Sequence, residues 1–365
     1  MKILVVNCGS SSIKYKLYEF PSKSQLSKGI IERIGEEGSK VRNHNQGIKV
    51  VINQLLGNKI IKGLEEISVV GHRVVHGGEH FREPTVINGK VIEKIKVNSD
   101  LAPLHNPANL AGIMGCKEIL PETKQVAVFD TAFYQSIAQH VYMYAIPGQY
   151  YKKYGVRKYG FHGTSHQFVA GRAAELLAKP LSEVKLITCH LGNGCSITAI
   201  DKGKATDTSM GFTPLEGLMM GTRSGDIDVA AVFHIMKKEK LTVEQMGRIL
   251  NRESGILGVS GVSNDIRVVK ERAAGGDKLS RLALEMFIYR IKKYIGAYFM
   301  VLGGADAVCF TAGIGENNED IVGRLKEDIY KIASPDTKVF VIPTDEELMI
   351  AGLTYELARE GSDRK

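Results

Sequence analysis

The chain has 365 residues, 44% hydrophobic and 24% charged, which excludes disordered and collagen-like classes. Lys and Arg number 48 against 40 Asp and Glu, a net charge of +8. The surplus is spread without a run of like charges, so it favours a small anionic partner and lends nothing to a nucleic-acid arm. At roughly 150 residues per domain the length predicts two cores.

In chain order, Ile3-Leu4-Val5-Val6 reads as a buried strand, Asn7 to Ser12 as a polar turn, and Ile13 to Leu17 as an alternating second strand. Residues 30–65 are polar and weakly patterned, which predicts surface structure. Asn106-Pro107 opens a helix carrying Leu110, Ile113, Met114 and Ile119, with Asn106 as its N-cap. Val126 to Phe129 is a strand, and the domain boundary is expected within 131–150. A helix follows from about Ser165 to Lys179, ending before Pro180.

The strand–turn–strand pattern then returns at Leu186 to His190, Leu191 to Gly194 and Cys195 to Ile200, which predicts an internal duplication. The longest helix runs from about Leu279 to Leu302 and stops at Gly303-Gly304. Thr344 and Glu347 fit a capping box for the last helix, leaving Glu346 for other work. Two related α/β domains facing each other across a cleft are expected, with ligands in the cleft.

Cys8, Cys116, Cys189, Cys195 and Cys309 are odd in number, far apart and without CxxC or zinc-type spacing. They read as buried free thiols of a cytoplasmic protein. The apolar stretch at Met1 to Val6 is too short for a signal peptide, and the run Tyr294 to Ala305 is shorter than the ~20 residues of a membrane span.

No GxxxxGK[ST] occurs, and Gly313-Ile314-Gly315-Glu316-Asn317 lacks the third glycine of a dinucleotide fingerprint. Three glycine-bearing turns follow apolar strands instead, at Asn7 to Ser12, His190 to Gly194 and Gly313 to Asn317, where backbone N–H groups can approach phosphate oxygens. Arg73 and Arg223 each admit two readings: a structural ion pair, for Arg223 with Asp226 or Asp228, or a clamp on an oxyanion or phosphoryl group. Histidines stand at 105, 162, 166 and 190, with His162 in Tyr159-Gly160-Phe161-His162-Gly163 just ahead of a helix N-terminus, a natural anion site. Asp130, Asp265 and Glu346 are the carboxylate candidates, although Asp265 equally fits a helix cap.

The strings NCGSSSIK (7–14), GHRVVHGG (71–78), FDTAF (129–133), YGFHGTSH (159–166), HLGNG (190–194), DTSMGFTPLEGLMMGTRSGD (207–226) and TAGIGEN (311–317) together resemble the acetate kinase family over nearly the whole chain. The resemblance implies an α/β, duplicated actin-like ATPase (ribonuclease H-like) fold with two domains around a central cleft. It also implies reversible, Mg2+-dependent transfer of the ATP γ-phosphoryl group to acetate, giving acetyl phosphate and ADP, in a homodimer, with Mn2+ able to replace Mg2+. Residues 1–134 plus 348–365 would form the acyl-substrate and phosphate-loop domain, and 135–347 the nucleotide-binding domain.

Carried over by motif, Asn7 and Glu346 would hold the metal, and Ser10, Ser12 and Lys14 the first phosphate loop. His190, Leu191, Gly192, Asn193 and Gly194, then Asp265, Ile266 and Arg267, then Gly313, Ile314, Gly315, Glu316 and Asn317 would bind nucleotide. Arg73, Val75, Leu104, Phe161 and Pro214 would bind the acyl substrate, and Arg73, Asp130, His162 and Arg223 would form the catalytic group. Because acetate is already ionised at neutral pH, Asp130 is expected to orient an arginine or a metal-bound water rather than to accept a proton. Branched Val75 should admit a methyl group and crowd longer tails.

The chain is compacted near 20–65 and between Asn317 and Pro343, and carries Tyr134 where the family has histidine and Val229 where it has proline. None of these departures falls on a matched site. The nearest rival is a propionate or butyrate kinase. A rival of another class is an actin-like ATPase module that binds a protein partner and leaves Arg73 and the apolar pocket without a task.

Overall fold

The computed structural model describes residues 1–360 apart from Leu104. The chain divides into two compact units, Met1–Gln135 with the chain from Asp345 onward, and Ser136–Thr344. Residues 345–347, expected with the second half, belong to the first unit because the helix they begin packs on that unit's sheet.

The strands are β1 (Lys2–Cys8), β2 (Ile13–Glu19), β3 (Ser24–Ile31), β4 (Ile67–Val74), β5 (Thr85–Val86), β6 (Lys124–Phe129), β7 (Lys185–Leu191), β8 (Cys195–Asp201), β9 (Lys204–Thr208), β10 (Ala307–Thr311) and β11 (Lys338–Val341). The helices that bear on function are α1 (His44–Gly57), α2 (Asn106–Ile119), α3 (Gly163–Leu176), α4 (Val229–Glu239), α5 (Ile266–Ala274), α6 (Lys278–Leu302), α7 (Ala312–Asn317) and α8 (Glu346–Glu360).

In the first unit the strand order is β3-β2-β1-β4-β6-β5. β1, β2 and β3 form an antiparallel meander, β4 joins β1 in parallel, and β6 joins β4 in parallel. Leu4 and Val6 pack with Ile48, Val51 and Leu55 of α1, whereas Ile3 and Val5 pack with Ile350 and Ala351 of α8. This two-residue alternation with both sides apolar is what a strand covered on both faces requires.

The second unit repeats the plan in the order β11-β10-β7-β8-β9: an antiparallel meander β7-β8-β9, β10 parallel to β7, and β11 parallel to β10. β5, antiparallel to β6, is an added edge in the first unit. Residues Leu186 to Leu191 are buried throughout, with α3 and α6 both packed against β7. The predicted duplication is therefore observed strand for strand.

Four local expectations are corrected. The segment 30–65 holds α1, whose Ile48, Val51, Ile52 and Leu55 are core residues at helical spacing. Asn106 is not the N-cap of α2, a place taken by His105, because its amide instead bonds the backbone N and O of His76. The last helix is capped by Asp345, whose carboxylate accepts from the Leu348 backbone at 2.9 Å, while Glu347 pairs with Lys16 at 3.3 Å. The third glycine-bearing turn is the short helix α7, entered through Ala312 at φ +65°.

Candidate active site

The first unit gathers an arginine, two carboxylates and an amide at the ends of its central strands. Arg73, on β4, donates from Nε to Asp130 Oδ2 at 3.1 Å and from Nη2 to the same oxygen at 2.5 Å. Its Nη1 lies 3.4 Å from Asn7 Oδ1, and its Nε 3.8 Å from Glu346 Oε2. Asp130 directly follows β6, is fully buried, and has its backbone N–H fixed on Val74 O at 3.0 Å. Burial works against the Arg73 charge, but Asp130 and then Glu346 outweigh it and raise its pKa. The Glu346 carboxyl is pushed up by burial, which Arg73 only partly opposes and Asp130 reinforces.

The turn after β1 closes through Gly9 N to Ser12 O at 2.8 Å, with Ser10 and Lys14 exposed beside it. Two side chains that the motifs did not single out hold this turn from behind. His44 Nε2 lies 2.7 Å from Gly9 O. Asn109 of α2 donates to Cys8 O at 2.7 Å and accepts from Val75 N at 3.0 Å, tying the turn to the strand end that carries Val75. Val75 is buried, 4% exposed, and Leu104 lies outside the described residues.

Asn7 and Glu346 suit a hard divalent cation: one amide and one carboxyl oxygen donor, the latter in surroundings that disfavour its unneutralised charge. Among the described residues no cluster of three His, Cys, Asp or Glu forms a protein cage.

The second unit brings His162 and Arg223 together over Gly194. A Cβ added to Gly194 would lie 3.3 Å from His162 Cε1, 3.4 Å from His162 Nε2 and 3.4 Å from Arg223 Nη1, so any larger residue would press on both side chains. His162 stands at φ +60° immediately before α3, a left-handed conformation few non-glycine residues adopt. Its Nδ1 is 2.9 Å from Ser196 Oγ, and its ring stacks on His190 at 4.2 Å between centroids. His190 Nδ1 is in turn 2.8 Å from Ser165 Oγ.

Arg223 donates to Pro214 O at 3.1 Å and approaches Met220 Sδ at 3.6 Å; among the described residues it has no carboxylate partner. Neither acid considered for it is available. Asp226 accepts from Gly217 N and Tyr294 hydroxyl, and Asp228 caps α4 through Ala230 N. Burial accordingly lowers the Arg223 pKa. Glu216, which takes the Tyr144 hydroxyl, helps to frame the loop that carries Pro214 and Arg223. Phe161 is fully buried beside His162.

A cavity of about 620 Å3 opens in the same unit, lined by Gly192, Asn193, Asp265, Ile266, Arg267, Gly313, Ile314 and Asn317. It unites three separate sequence segments, and adds Asn264 and Asn318, which the motif reading passed over. Asp265 caps α5 and also pairs with Arg267, whose guanidinium holds the Asp265 carboxyl down at about 2. His190, Leu191, Gly194, Gly315 and Glu316 are not on this wall. The Glu316 carboxylate instead accepts from Ala312 N at 2.7 Å and Thr344 N at 3.1 Å, fastening the entry of α7.

A family model described as the acetokinase family matches residues 2–333. The acetate kinase of Halothermothrix orenii is 51% identical, covering 96% of this chain and 98% of that protein. The acetate kinase of Thermotoga maritima is 50% identical, covering 99% of each. Among solved structures, Porphyromonas gingivalis acetate kinase aligns with a TM-score of 0.93 at 42% identity, over 98% of this chain and 99% of that one. A propionate kinase from Francisella tularensis aligns with a TM-score of 0.90 at 41% identity, over 97% and 99%.

Proposed function

We infer activity from one premise: the chain belongs to the acetokinase family, and its paired sheets are the duplicated actin-like ATPase fold. It is a phosphotransferase with a carboxyl acceptor, moving the γ-phosphoryl group of ATP reversibly to acetate. The observation that carries the reading is Arg223, a half-buried guanidinium with no carboxylate partner among the described residues, seated with His162 over Gly194.

The chemistry asks for little proton transfer. Acetate is ionised at neutral pH, so its oxygen attacks without a general base, and the obstacle is an anion approaching a polyanion. The residues answer with charge and position. Arg223 and His162 would meet the oxygens of the transferring phosphoryl group, and the turn at Gly9 to Ser12, with Lys14, would meet phosphate on the first unit. Arg73, its Nε side locked on Asp130, would present its remaining edge to the carboxylate; Asp130 is then an orienting group. Asn7 and Glu346 would hold Mg2+, or Mn2+ in its place, which when bound neutralises phosphate charge. The cavity lined by Asp265, Arg267, Gly313 and Asn317 would take the nucleoside of ATP or ADP. On this reading the first unit is the acyl and phosphate-loop domain and the second the nucleotide domain, with Val75, Phe161 and Pro214 around the acyl group.

Val75 favours acetate over longer acids, each extra methylene costing ~1–3 kcal/mol. Similarity to a propionate kinase keeps propionate as the second reading. Incubation with ATP, Mg2+, hydroxylamine and acetate, propionate or butyrate, with acyl hydroxamate as the readout, decides between them. Metal-dependent product greatest with acetate is expected; a maximum with propionate selects the second reading, and ATP hydrolysis without any acyl product overturns both.

The enzyme is further read as a cytoplasmic homodimer. The five cysteines are free and buried, as a reducing compartment leaves them, and thiol titration of freshly isolated protein checks this. No helix of the described residues is long and apolar enough to cross a membrane. Dimerisation is supported by exposed apolar side chains on α4, taken up in the Discussion.

A further inference from the structure

Behind His162 runs a line of buried polar side chains that the reaction as described does not use. His162 Nδ1 is 2.9 Å from Ser196 Oγ, Ser196 Oγ is 2.7 Å from His166 Nε2, and His166 Nδ1 is 2.7 Å from Thr188 Oγ1. Thr188 Oγ1 reaches the carbonyl oxygen of Thr198 at 3.5 Å. Ser196, His166 and Thr188 are all 0% exposed, so water cannot substitute for a missing partner.

Thr188 Oγ1 donates to Thr198 O, which can only accept, and with its hydrogen placed there Thr188 Oγ1 accepts from His166 Nδ1–H. Burial keeps His166 neutral, and a neutral imidazole with its hydrogen on Nδ1 accepts at Nε2. Ser196 therefore donates its single hydroxyl hydrogen to His166, and its oxygen must accept from His162 Nδ1–H. A second feature agrees. His162 Nε2 and the Arg223 guanidinium both lie 3.4 Å from one point, the site of a Cβ on Gly194, and a lone pair on Nε2 suits that neighbouring cation better than a hydrogen.

We propose that the Thr188–His166–Ser196 relay fixes His162 as the Nδ1–H tautomer, so that Nε2 offers a hydrogen only when the ring is an imidazolium. Thr188, His166 and Ser196 are then positioning residues. This deepens, and rests on, the reading that His162 meets the transferred phosphoryl group: the neutral ring turns an acceptor toward the site, and the hydrogen bond to an anion arises only with the second proton. The charged and titratable neighbours that bear on that proton are Arg223, the stacked His190, and His166 through Ser196.

Histidine-selective 15N labelling of the full chain with long-range proton–nitrogen correlation reads the tautomer directly, the His162 signal being assigned by its loss in His162→Gln. In the ligand-free protein, above the pH at which His162 titrates, a protonated Nδ1 and an unprotonated Nε2 are expected. Thr188→Val, nearly isosteric and three hydrogen bonds away from His162, leaves His166 Nδ1–H without its acceptor. His166 should then carry its hydrogen on Nε2, Ser196 should donate to His162, and His162 should switch to Nε2–H, with Thr188→Ser restoring the original form. Ser196→Ala should give a mixture of both tautomers and lower kcat roughly tenfold with KM for ATP unchanged.

A wild-type ring already protonated on Nε2, or a His162 tautomer indifferent to both Thr188→Val and Ser196→Ala, overturns the proposal. If the tautomer responds as expected but kcat does not, the relay stands and the assignment of His162 to phosphoryl transfer is what fails.

Discussion

The two arginines carry the same charge and are prepared for different tasks. Arg73 has a buried carboxylate along one edge of its guanidinium, so its position is fixed and much of its charge neutralised. Among the described residues Arg223 is held by a carbonyl and a thioether, and no carboxylate neutralises its charge. Arg223→Lys keeps the charge but removes the planar fork, and kcat is expected to fall by about 10²–10³ with KM for ATP altered far less. Steady-state rates within threefold of wild type would assign the transition-state charge elsewhere. Reading residues 207–226 alone left Arg223 divided between structure and chemistry, because sequence spacing does not reveal that Asp226 and Asp228 are already engaged by backbone N–H groups and Tyr294. Asn109 and Ser196 were missed for a related reason: a single buried amide or hydroxyl has no periodicity to betray it.

At the scale of elements, α4 is the exception among the helices. Unlike the other seven helices named above it has no buried residue, and Val229, Phe233 and Ile235 are 61%, 64% and 40% exposed. Exposed apolar side chains on a helix whose charges lie only in its last turn favour an interface, and a second copy of the chain is the partner proposed for it. Phe233→Asp is expected to convert a dimer to a monomer in sedimentation velocity at micromolar concentration; a wild-type protein that is already monomeric removes the idea. Elements whose core contacts follow a simple period were legible: both hairpins, α3, and α6 ending at a left-handed Gly303. Those missed depend on tertiary context. The apolar positions of α1 are diluted by polar residues, and Asn106 gave up the cap for which it is suited to bind the backbone of His76.

Over the whole molecule, the family motifs and the repeated strand–turn–strand pattern made the duplication readable, whereas the added β5 and the three-part cavity lined by Gly192, Asp265 and Gly313 emerge only from folding. Stability should also carry a collective signature of buried histidines. Burial lowers His72 to about 4 and His76 to about 3, and His166 well below its ordinary value of 6.5. Each is neutral when folded and binds a proton more readily when unfolded, so the stabilisation is complete above pH ~6.5 and is lost as pH falls toward the folded values. Every such group contributes a slope of up to about 1.4 kcal/mol per pH unit within its window. Denaturant midpoints should therefore drop steadily from pH 6.5 to 4, and His72→Gln should shallow that drop. An unchanged slope in the variant would refute the assignment.

Helix α8 closes the first unit although it is separated from the rest of that unit by all of Ser136–Thr344. Until it arrives, Ile3, Val5, Tyr18, Val69, Val126 and Val128 form an apolar sheet face with no cover, since Ile350 and Ala351 are what fills it. During synthesis the second unit, contiguous in sequence, can finish folding as soon as it leaves the ribosome, while the unit begun first waits for the segment from Asp345 onward. Birth order and completion order are thus reversed, and a nascent chain stalled short of Asp345 presents a sticky surface to its neighbours.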